Sequence, residues 1–413
     1  FYNNTQASNE LKYELAENLN LNFTFKNKLN YNFFPRPHFT TKKAIINYNQ
    51  KNISTIEQLK IYISLENLFS LKNLNIKNVV IQNANFNLNK SNYNFFIKLL
   101  NNNFLNKNLI IQNSNIFFEN KDNEILFINK ILELKYYYDL NELKNILISK
   151  NEIFNMPYDI RIFNDEKQNK FISKINLNAL KLQLDSEHNY KNEVKTGKID
   201  LISNKSKSII NYKINKNSLE FDYFDKFENK KFLYKGIFNL NPFYSIYEGK
   251  TEDLNVSKIL DSNSLIVQLF KTEILNSKNL DFKLNVLADN IKDNIFFKKL
   301  NLNSKIEDGL IDFDNTKFEW NNSANFKIDN SLIYLKDGEL IFDGNLKIII
   351  QDYKEIYKFL LTPKKYRKKI KNIETNFSYN LDQKTMKLTD IRIDDQYNKN
   401  VNQILRDIIF KDT

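Results

Sequence analysis

Apolar and polar residues alternate with period two along most of the chain, the signature of strands with one dry and one wet face. In "NLDFKLNV", Leu280, Phe282, Leu284 and Val286 point one way, and Asp281, Lys283 and Asn285 the other. "NFKI" gives Phe326 and Ile328 a shared parity. "ELIFDGNLKIII" does the same for Leu340, Phe342, Leu346, Ile348 and Ile350, with Gly344 expected at a kink or bulge. "INLNALKLQL" opens with Ile175 and Leu177 in one parity and closes with Leu180, Leu182 and Leu184 in the other, which predicts a bulged strand. Strands with one wet face are usually antiparallel.

Helical spacing interrupts this pattern in a few places. Leu11, Leu15 and Leu19 fall on one face of a helix that Ser8 can cap. Short helices are also expected after Ser91, from Asp139, over Gln351–Leu361 before Pro363, and in the tail "VNQILRDIIF". Two segments repeat at a period near thirty residues. "VIQNANF" (Val80–Phe86) returns as "IIQNSNI" (Ile110–Ile116), and "EDGLIDF" (Glu307–Phe313) as "KDGELIF" (Lys336–Phe342). Such repetition suggests an array that adds similar hairpins.

These elements predict a mainly β protein: an elongated, twisted antiparallel sheet curled into an open apolar groove, with a few short helices including one at the N-terminus. Leu280, Phe282, Leu284, Val286, Phe326, Ile328, Leu340, Phe342, Leu346 and Ile348 are the expected groove lining. The absence of a Gly/Ser linker or a composition shift argues for one continuous unit. Within it, 1–165 holds the N-terminal helix and first strands, 166–350 the repeating strands, and 351–413 a basic helix, closing strands and a terminal helix.

Composition narrows the chemistry. The 413 residues include no cysteine and two histidines, His38 and His188. Disulfides and thiolate metal sites are excluded, and a histidine-based metal cluster or triad has too few members. No catalytic residue, metal or cofactor is expected. Asp312–Asp314 and Asp394–Asp395 read as solvated charge, His38 as a rim residue and His188 as part of a turn. Asn and Lys richness reflects codon bias, and abundant Ile, Leu and Phe argue against disorder.

The net charge of +12 suits nucleic acid or an anionic membrane surface. The densest basic run is "TPKKYRKKIKN", with Lys364, Lys365, Arg367, Lys368, Lys369 and Lys371. It reads as a headgroup or membrane-surface contact, a phosphate contact, or a solvated face. Aromatic residues are too sparse within it for a single-strand platform, which makes a nucleic-acid partner the weaker reading. No apolar run reaches membrane-crossing length. The chain starts at Phe1, so a signal or anchor upstream is an expectation.

Near the start, "FFPRP" concentrates two of the five prolines, Pro35 and Pro37, beside Phe33 and Phe34. These residues are expected to seed or close the first end of the sheet, or to form a rigid turn with two core aromatics. A helix, a short strand, this element, a strand with "AIINY", a Leu-rich segment and further strands follow in that order. The succession, carried by Phe33, Phe34, Pro35, Pro37, Leu65, Leu68, Leu71, Leu74, Ile76, Ile81 and Phe86, resembles the AsmA-like family of envelope proteins over roughly residues 1–120. The resemblance implies a periplasmic groove that handles phospholipid for outer-membrane biogenesis, anchored to the bacterial inner membrane by a helix expected upstream of Phe1. A structural or assembly factor that binds envelope protein partners is the alternative.

Overall fold

The computed structural model describes residues 4–19, 21–49, 51–70, 74–89, 91–100, 107–119, 124–165, 170–189, 195–203, 206–215, 218–227, 230–240, 243–262, 264–276, 280–292, 294–406 and 408–411. Strands account for 65% of the protein, which makes it mainly β. The chain forms two compact units, Phe1–Lys213 and Ile214–Thr413.

The first unit opens with helix α1 (Asn4–Leu19) and short strands β1 (Asn22–Phe25) and β2 (Asn30–Asn32). Long strands β3 (His38–Tyr48), β4 (Lys51–Ile63) and β5 (Ile76–Leu88) lead to helix α2 (Tyr93–Leu100). Then come β6 (Asn108–Glu119), β7 (Ile125–Asp139), β8 (Lys144–Ile153), β9 (Met156–Asp165), β10 (Lys170–Leu177), β11 (Leu182–Asn189), β12 (Lys195–Ser203) and β13 (Ser206–Ile214). From β3 to β12 each strand pairs with its successor, antiparallel except for the parallel pair β5–β6. The outer edge of β3 is shared between β1, opposite Ala44–Asn47, and β2, opposite His38–Thr40. That arrangement shields the first long strand from stray pairing.

Helix α1 buries Ala7, Leu11, Leu15 and Leu19 against the sheet, each at 1% exposure or less. It starts before the expected Ser8 because the Asn4 amide bonds both the carbonyl and the N–H of Leu29, at 3.1 Å each. That pair of bonds ties the first turn to the sheet.

The repeat at Val80 and Ile110 forms the parallel pair itself. Residue faces its own counterpart, with Ile81 opposite Ile111 and Phe86 opposite Ile116. Side chains bond along the row: Gln82 to Gln112 at 2.9 Å, Asn85 to Asn115 at 3.0 Å and Asn78 to Asn108 at 2.9 Å. Asn83 and Asn113 share a left-handed backbone, φ 52° and 47°. The echo is therefore two strands joined by a crossover through α2, where hairpins were expected, because parallel neighbours need a long connection.

The second unit contains β14 (Ser218–Phe227), β15 (Lys230–Leu240), β16 (Phe243–Leu254), α3 (Val256–Ile259), α4 (Leu265–Lys271), β17 (Asp281–Ile291) and β18 (Asn294–Glu307). It continues with β19 (Leu310–Asp312), β20 (Thr316–Trp320), β21 (Ala324–Lys336), β22 (Glu339–Ile350), α5 (Tyr353–Phe359), β23 (Asn372–Asn380) and β24 (Thr385–Ile393). β25 (Gln396–Tyr397), α6 (Lys399–Arg406) and β26 (Phe410–Lys411) close it. The parallel pair β16–β17 is bridged by α3 and α4; the other pairings here are antiparallel. The second repeat does make hairpins. Asp308–Gly309 (φ 52° and 79°) and Asp337–Gly338 (φ 53° and 81°) are two-residue turns with both residues left-handed, as tight hairpin loops favour.

Other expectations are corrected. The segment from Asp139 is a turn followed by β8. The Asp139 carboxylate accepts the N–H groups of Asn141 (2.8 Å) and Glu142 (3.0 Å), so a helix-start pattern is spent in a turn. "INLNALKLQL" is a hairpin, with a 3₁₀ turn at Asn178–Leu180 and Ile175 facing Leu184. Gly344 does stand at a bulge, as expected: it is the single residue of β22 facing the extra residue of β21 between Asp329 and Leu332, where Asn330 has φ 49°, while its register with β23 stays regular. A Cβ at Gly344 would come within 2.9 Å of the Phe377 ring, so close ring contact is what asks for glycine there. His188 lies in β11, and His38 is buried at 6% exposure, stacked on Tyr62 with Nδ1 2.7 Å from the Arg36 carbonyl. Asp314 is no free surface charge either: it accepts both the N–H and the hydroxyl of Ser331, at 2.7 Å each. Among the described residues, no helix is long and apolar enough to cross a membrane.

Candidate functional site

Directly opposed residues share a face of a sheet, so the registers define rows of side chains. In the first unit one row runs Val79, Leu109, Tyr136, Leu147, Ile162. The next runs Ile81, Ile111, Leu134, Ser149, Ile160 and continues through Ile175, Leu184 and Leu201. Helix α2 lays Phe95, Leu99 and Leu100 over part of this face, and the Tyr136 hydroxyl donates to the Leu100 carbonyl at 2.6 Å, pinning the helix end.

Between helix and sheet lies a cavity of about 310 Å³. Ile81, Ile111 and Ile131 at its base are buried, whereas Leu134, Leu147, Ile160 and Ile162 on its β7–β9 side are half-buried. The wall is almost wholly aliphatic and aromatic, except for one polar patch of Asn129, Ser149, Asn151 and Tyr158. Asn129, Ser149 and Asn151 are each at 5% exposure or less. The Tyr158 hydroxyl donates to Asn129 Oδ1 at 2.7 Å, and the Ser149 hydroxyl to Asn151 Oδ1 at 2.8 Å. With both amide oxygens engaged as acceptors, the amide nitrogens are the donors left to meet an ester or carboxyl oxygen. Burial pushes the Tyr158 phenol above its ordinary range, which keeps it a neutral donor.

The expected lining residues fall on one face of the second unit. Phe282, Ile306, Ile311, Ile333, Phe342 and Tyr379 form one row; Phe326 faces Ile348, and Ile328 faces Leu346. They do not form one open surface. Val267 and Phe270 of α4 pack into a core with Leu280, Phe282, Leu340 and Phe342, so those four are covered by the protein's own atoms. α4 is clipped down by an ion pair between Lys271 and Asp382, whose second oxygen accepts the Leu340 N–H at 2.8 Å. Val286 is buried at 5% exposure, and Leu284, Phe326, Ile328, Leu346 and Ile348 are half-buried.

The other sequence-derived candidates are scattered: some are core residues and others are exposed on turns. Phe33 and Phe34 are 49% and 81% exposed on the turn between β2 and β3, edge to face with each other, so they are not core aromatics. Pro35 is exposed on the same turn, whereas Pro37 is buried and its carbonyl accepts the Ile63 N–H of β4 at 3.0 Å. Leu74, Ile76, Ile81 and Phe86 are core residues, Leu65 is 68% exposed, and Leu71 lies outside the described residues. Lys364, Lys365, Lys368, Lys369 and Lys371 are exposed, and Arg367 donates Nε to the Thr362 carbonyl at 2.8 Å. Among the described residues, no group of His, Cys, Asp and Glu could hold a metal ion.

Sequence reasoning missed the α2 cavity and its polar patch. The register shift at Ile131/Glu133 breaks the parity of β7, and in so Asn-rich a chain Asn129 and Asn151 look like surface residues. Two polar residues intruding on an otherwise dry parity were the available signal. The chain matches no known protein-family model, and no curated protein is detectably similar to it in sequence.

Proposed function

We propose that the protein is a non-enzymatic lipid-handling protein. It shields phospholipid acyl chains along the dry faces of its sheets, curled into grooves, during transport between the bacterial inner and outer membranes. The periplasmic setting and the inner-membrane anchor come with the likeness of its N-terminal motifs to the AsmA-like family. The observation that carries the proposal is the open, apolar-walled α2 cavity with its single polar patch. Its volume of about 310 Å³ is roughly twice that of a cavity able to hold benzene, and falls at the small end of ligand sites. An acyl chain gains about 0.8 kcal/mol per methylene moved out of water, so even ten methylenes contribute roughly 8 kcal/mol. The patch sits where an ester or carboxyl end can be met by amide donors while the tail lies against Ile111, Ile131 and Ile160.

The test is lipid uptake by the delipidated protein, using a phospholipid with a radiolabelled acyl chain. The wild-type chain is expected to bind it, and Ile162→Asp, which places a carboxylate at the half-buried side of the cavity, to bind at least tenfold more weakly with unchanged circular dichroism. A wild-type protein that takes up no lipid refutes the proposal. Photo-crosslinkers at Ile160 and Phe326 distinguish it from the assembly-factor alternative: lipid adducts favour lipid handling, and protein adducts favour assembly.

A further inference from the structure

The end of α5 presents an arrangement that acyl-chain shielding does not use. Helix capping by Asp352, which accepts the N–H groups of Lys354 and Glu355, starts α5; Phe359 ends it, with its ring edge-on to Trp320 at 5.0 Å and to Phe296 at 5.1 Å. The chain then turns outward. Phe359, Leu360 and Leu361 are 51%, 60% and 87% exposed, and Tyr366 is 62% exposed. Leu361 is held in a left-handed conformation, φ 51°. The Thr362 N–H donates to the Tyr357 carbonyl at 2.9 Å, and Arg367 Nε back to Thr362. The protruding leucines are thus set on a turn fixed by its own bonds and by aromatic contacts beneath.

Positive charge surrounds this apolar tip. No carboxylate occurs between Glu355 and Glu374, whereas Lys364, Lys365, Arg367, Lys368, Lys369 and Lys371 all fall there. Among the described residues, none of these six makes an ion pair, and Lys365 Nζ lies 4.8 Å over the Tyr366 ring. Exposed leucines flanked by unneutralised lysines match one partner chemistry, an apolar interior beneath an anionic surface.

We propose that the Phe359–Lys371 tip docks the protein on an anionic lipid bilayer, with Leu360 and Leu361 entering the acyl boundary and the lysines pairing with headgroup phosphates. The proposal is independent of the acyl-chain reading, since docking needs no cavity. A nucleic acid would satisfy the lysines and leave the leucines in water.

The chain has no cysteine, so Leu361→Cys gives a single attachment point for an environment-sensitive fluorophore on the full chain. With vesicles of phosphatidylglycerol and phosphatidylcholine, the emission is expected to shift blue and brighten; with phosphatidylcholine alone it is expected to stay constant. Changing Lys364, Lys365, Lys368 and Lys369 to Gln is expected to weaken vesicle binding by about fivefold per lysine, or more than a hundredfold together. The same charge removed at exposed Lys26, Lys28, Lys42 and Lys51 is expected to change it less than fivefold. An unmoved fluorophore on anionic vesicles overturns the proposal. So does an equal response to neutral vesicles, equal weakening by the control variant, or a response to a single-stranded oligonucleotide alone.

Discussion

Ser114 is the rung on which the parallel repeat turns. Left-handed Asn83 and Asn113 break the backbone ladder at the same place in β5 and β6. The buried Ala84 N–H donates to the Ser114 hydroxyl at 3.0 Å, and that hydroxyl donates to the Gln112 carbonyl at 2.8 Å. Both residues are sealed, Ala84 at 0% and Ser114 at 2% exposure. Ser114→Ala removes both bonds and leaves a buried N–H with no acceptor, which costs about 1–3 kcal/mol. The carbonyl loses less, because its second lone pair eases the loss. A total near 2 kcal/mol corresponds to roughly thirtyfold faster amide exchange at Ala84. Ser114→Thr keeps the hydroxyl and is expected to stay within about threefold of wild type. The assay is hydrogen exchange read by mass spectrometry on peptides across Ala84, with a peptide from the second unit as control. A change below threefold in Ser114→Ala would refute the reasoning that one side chain replaces the missing ladder bond.

Other perturbations separate burial from exposure. Leu15→Ala, at 0% exposure under α1, is expected to lower stability by about 2–5 kcal/mol in urea unfolding, whereas Phe34→Ser, 81% exposed, is expected to stay within about 0.5 kcal/mol. Gly309 and Gly338 share a turn type, but a Cβ at Gly309 meets the Asn276 carbonyl at 2.4 Å while one at Gly338 meets nothing within 4 Å. Gly338→Ala is expected to cost about 1–2 kcal/mol from backbone strain alone and Gly309→Ala distinctly more; equal thermal midpoints would contradict this. Burial alone would raise the Asp382 carboxyl, but the Lys271 ammonium and the Leu340 N–H outweigh it and hold it below the usual carboxylate range. Its contribution is therefore complete above the unfolded value near 4 and lost as pH falls through the lower folded value. Asp382→Asn is expected to destabilise at pH 7 and to flatten the acid limb of the stability profile. Tyr158→Phe strips the donor from buried Asn129 and is expected to cost about 1–3 kcal/mol, measured by urea unfolding.

Period two was enough to read the strand-rich fold and the shared parity of Leu280 through Ile348, because a sheet with one dry face must alternate. The Asp-Gly hairpins were legible for the same local reason: two residues fix the turn. What sequence hid depends on partners distant in the chain. Nothing near Asp139 distinguishes a carboxylate that starts a helix from one that closes a turn. Nothing near Phe282 or Phe342 reveals that α4 lies over them, since that placement follows from the parallel step β16–β17. The cavity beneath α2 was illegible because its base and its polar patch come from strands β5 to β9, and one bulge reverses the parity in the middle.

The two crossovers explain why each dry face is closed in one place and open in another. A hairpin returns the chain at the sheet edge and leaves the face bare, whereas a parallel pair must carry its connection across a face. The connections here carry α2 over β5–β9, α4 over Phe282, Ile306 and Phe342, and α3 against Leu254, Ala288 and Leu300. Where that cover is tight, as under Val267 and Phe270, no guest can enter. Where it leaves space, as under Phe95, Leu99 and Leu100, a guest has a wall on two sides. An occupying acyl chain should therefore be found at Ile160, Leu184, Phe326 and Ile348, on hairpin-built stretches, and not at Phe282 or Phe342. Photo-crosslinkers at those six positions in lipid-loaded protein read this directly. Lipid adducts at Phe282 equal to those at Phe326 would mean that α4 lifts from the sheet, and that the crossovers do not set where the face is open.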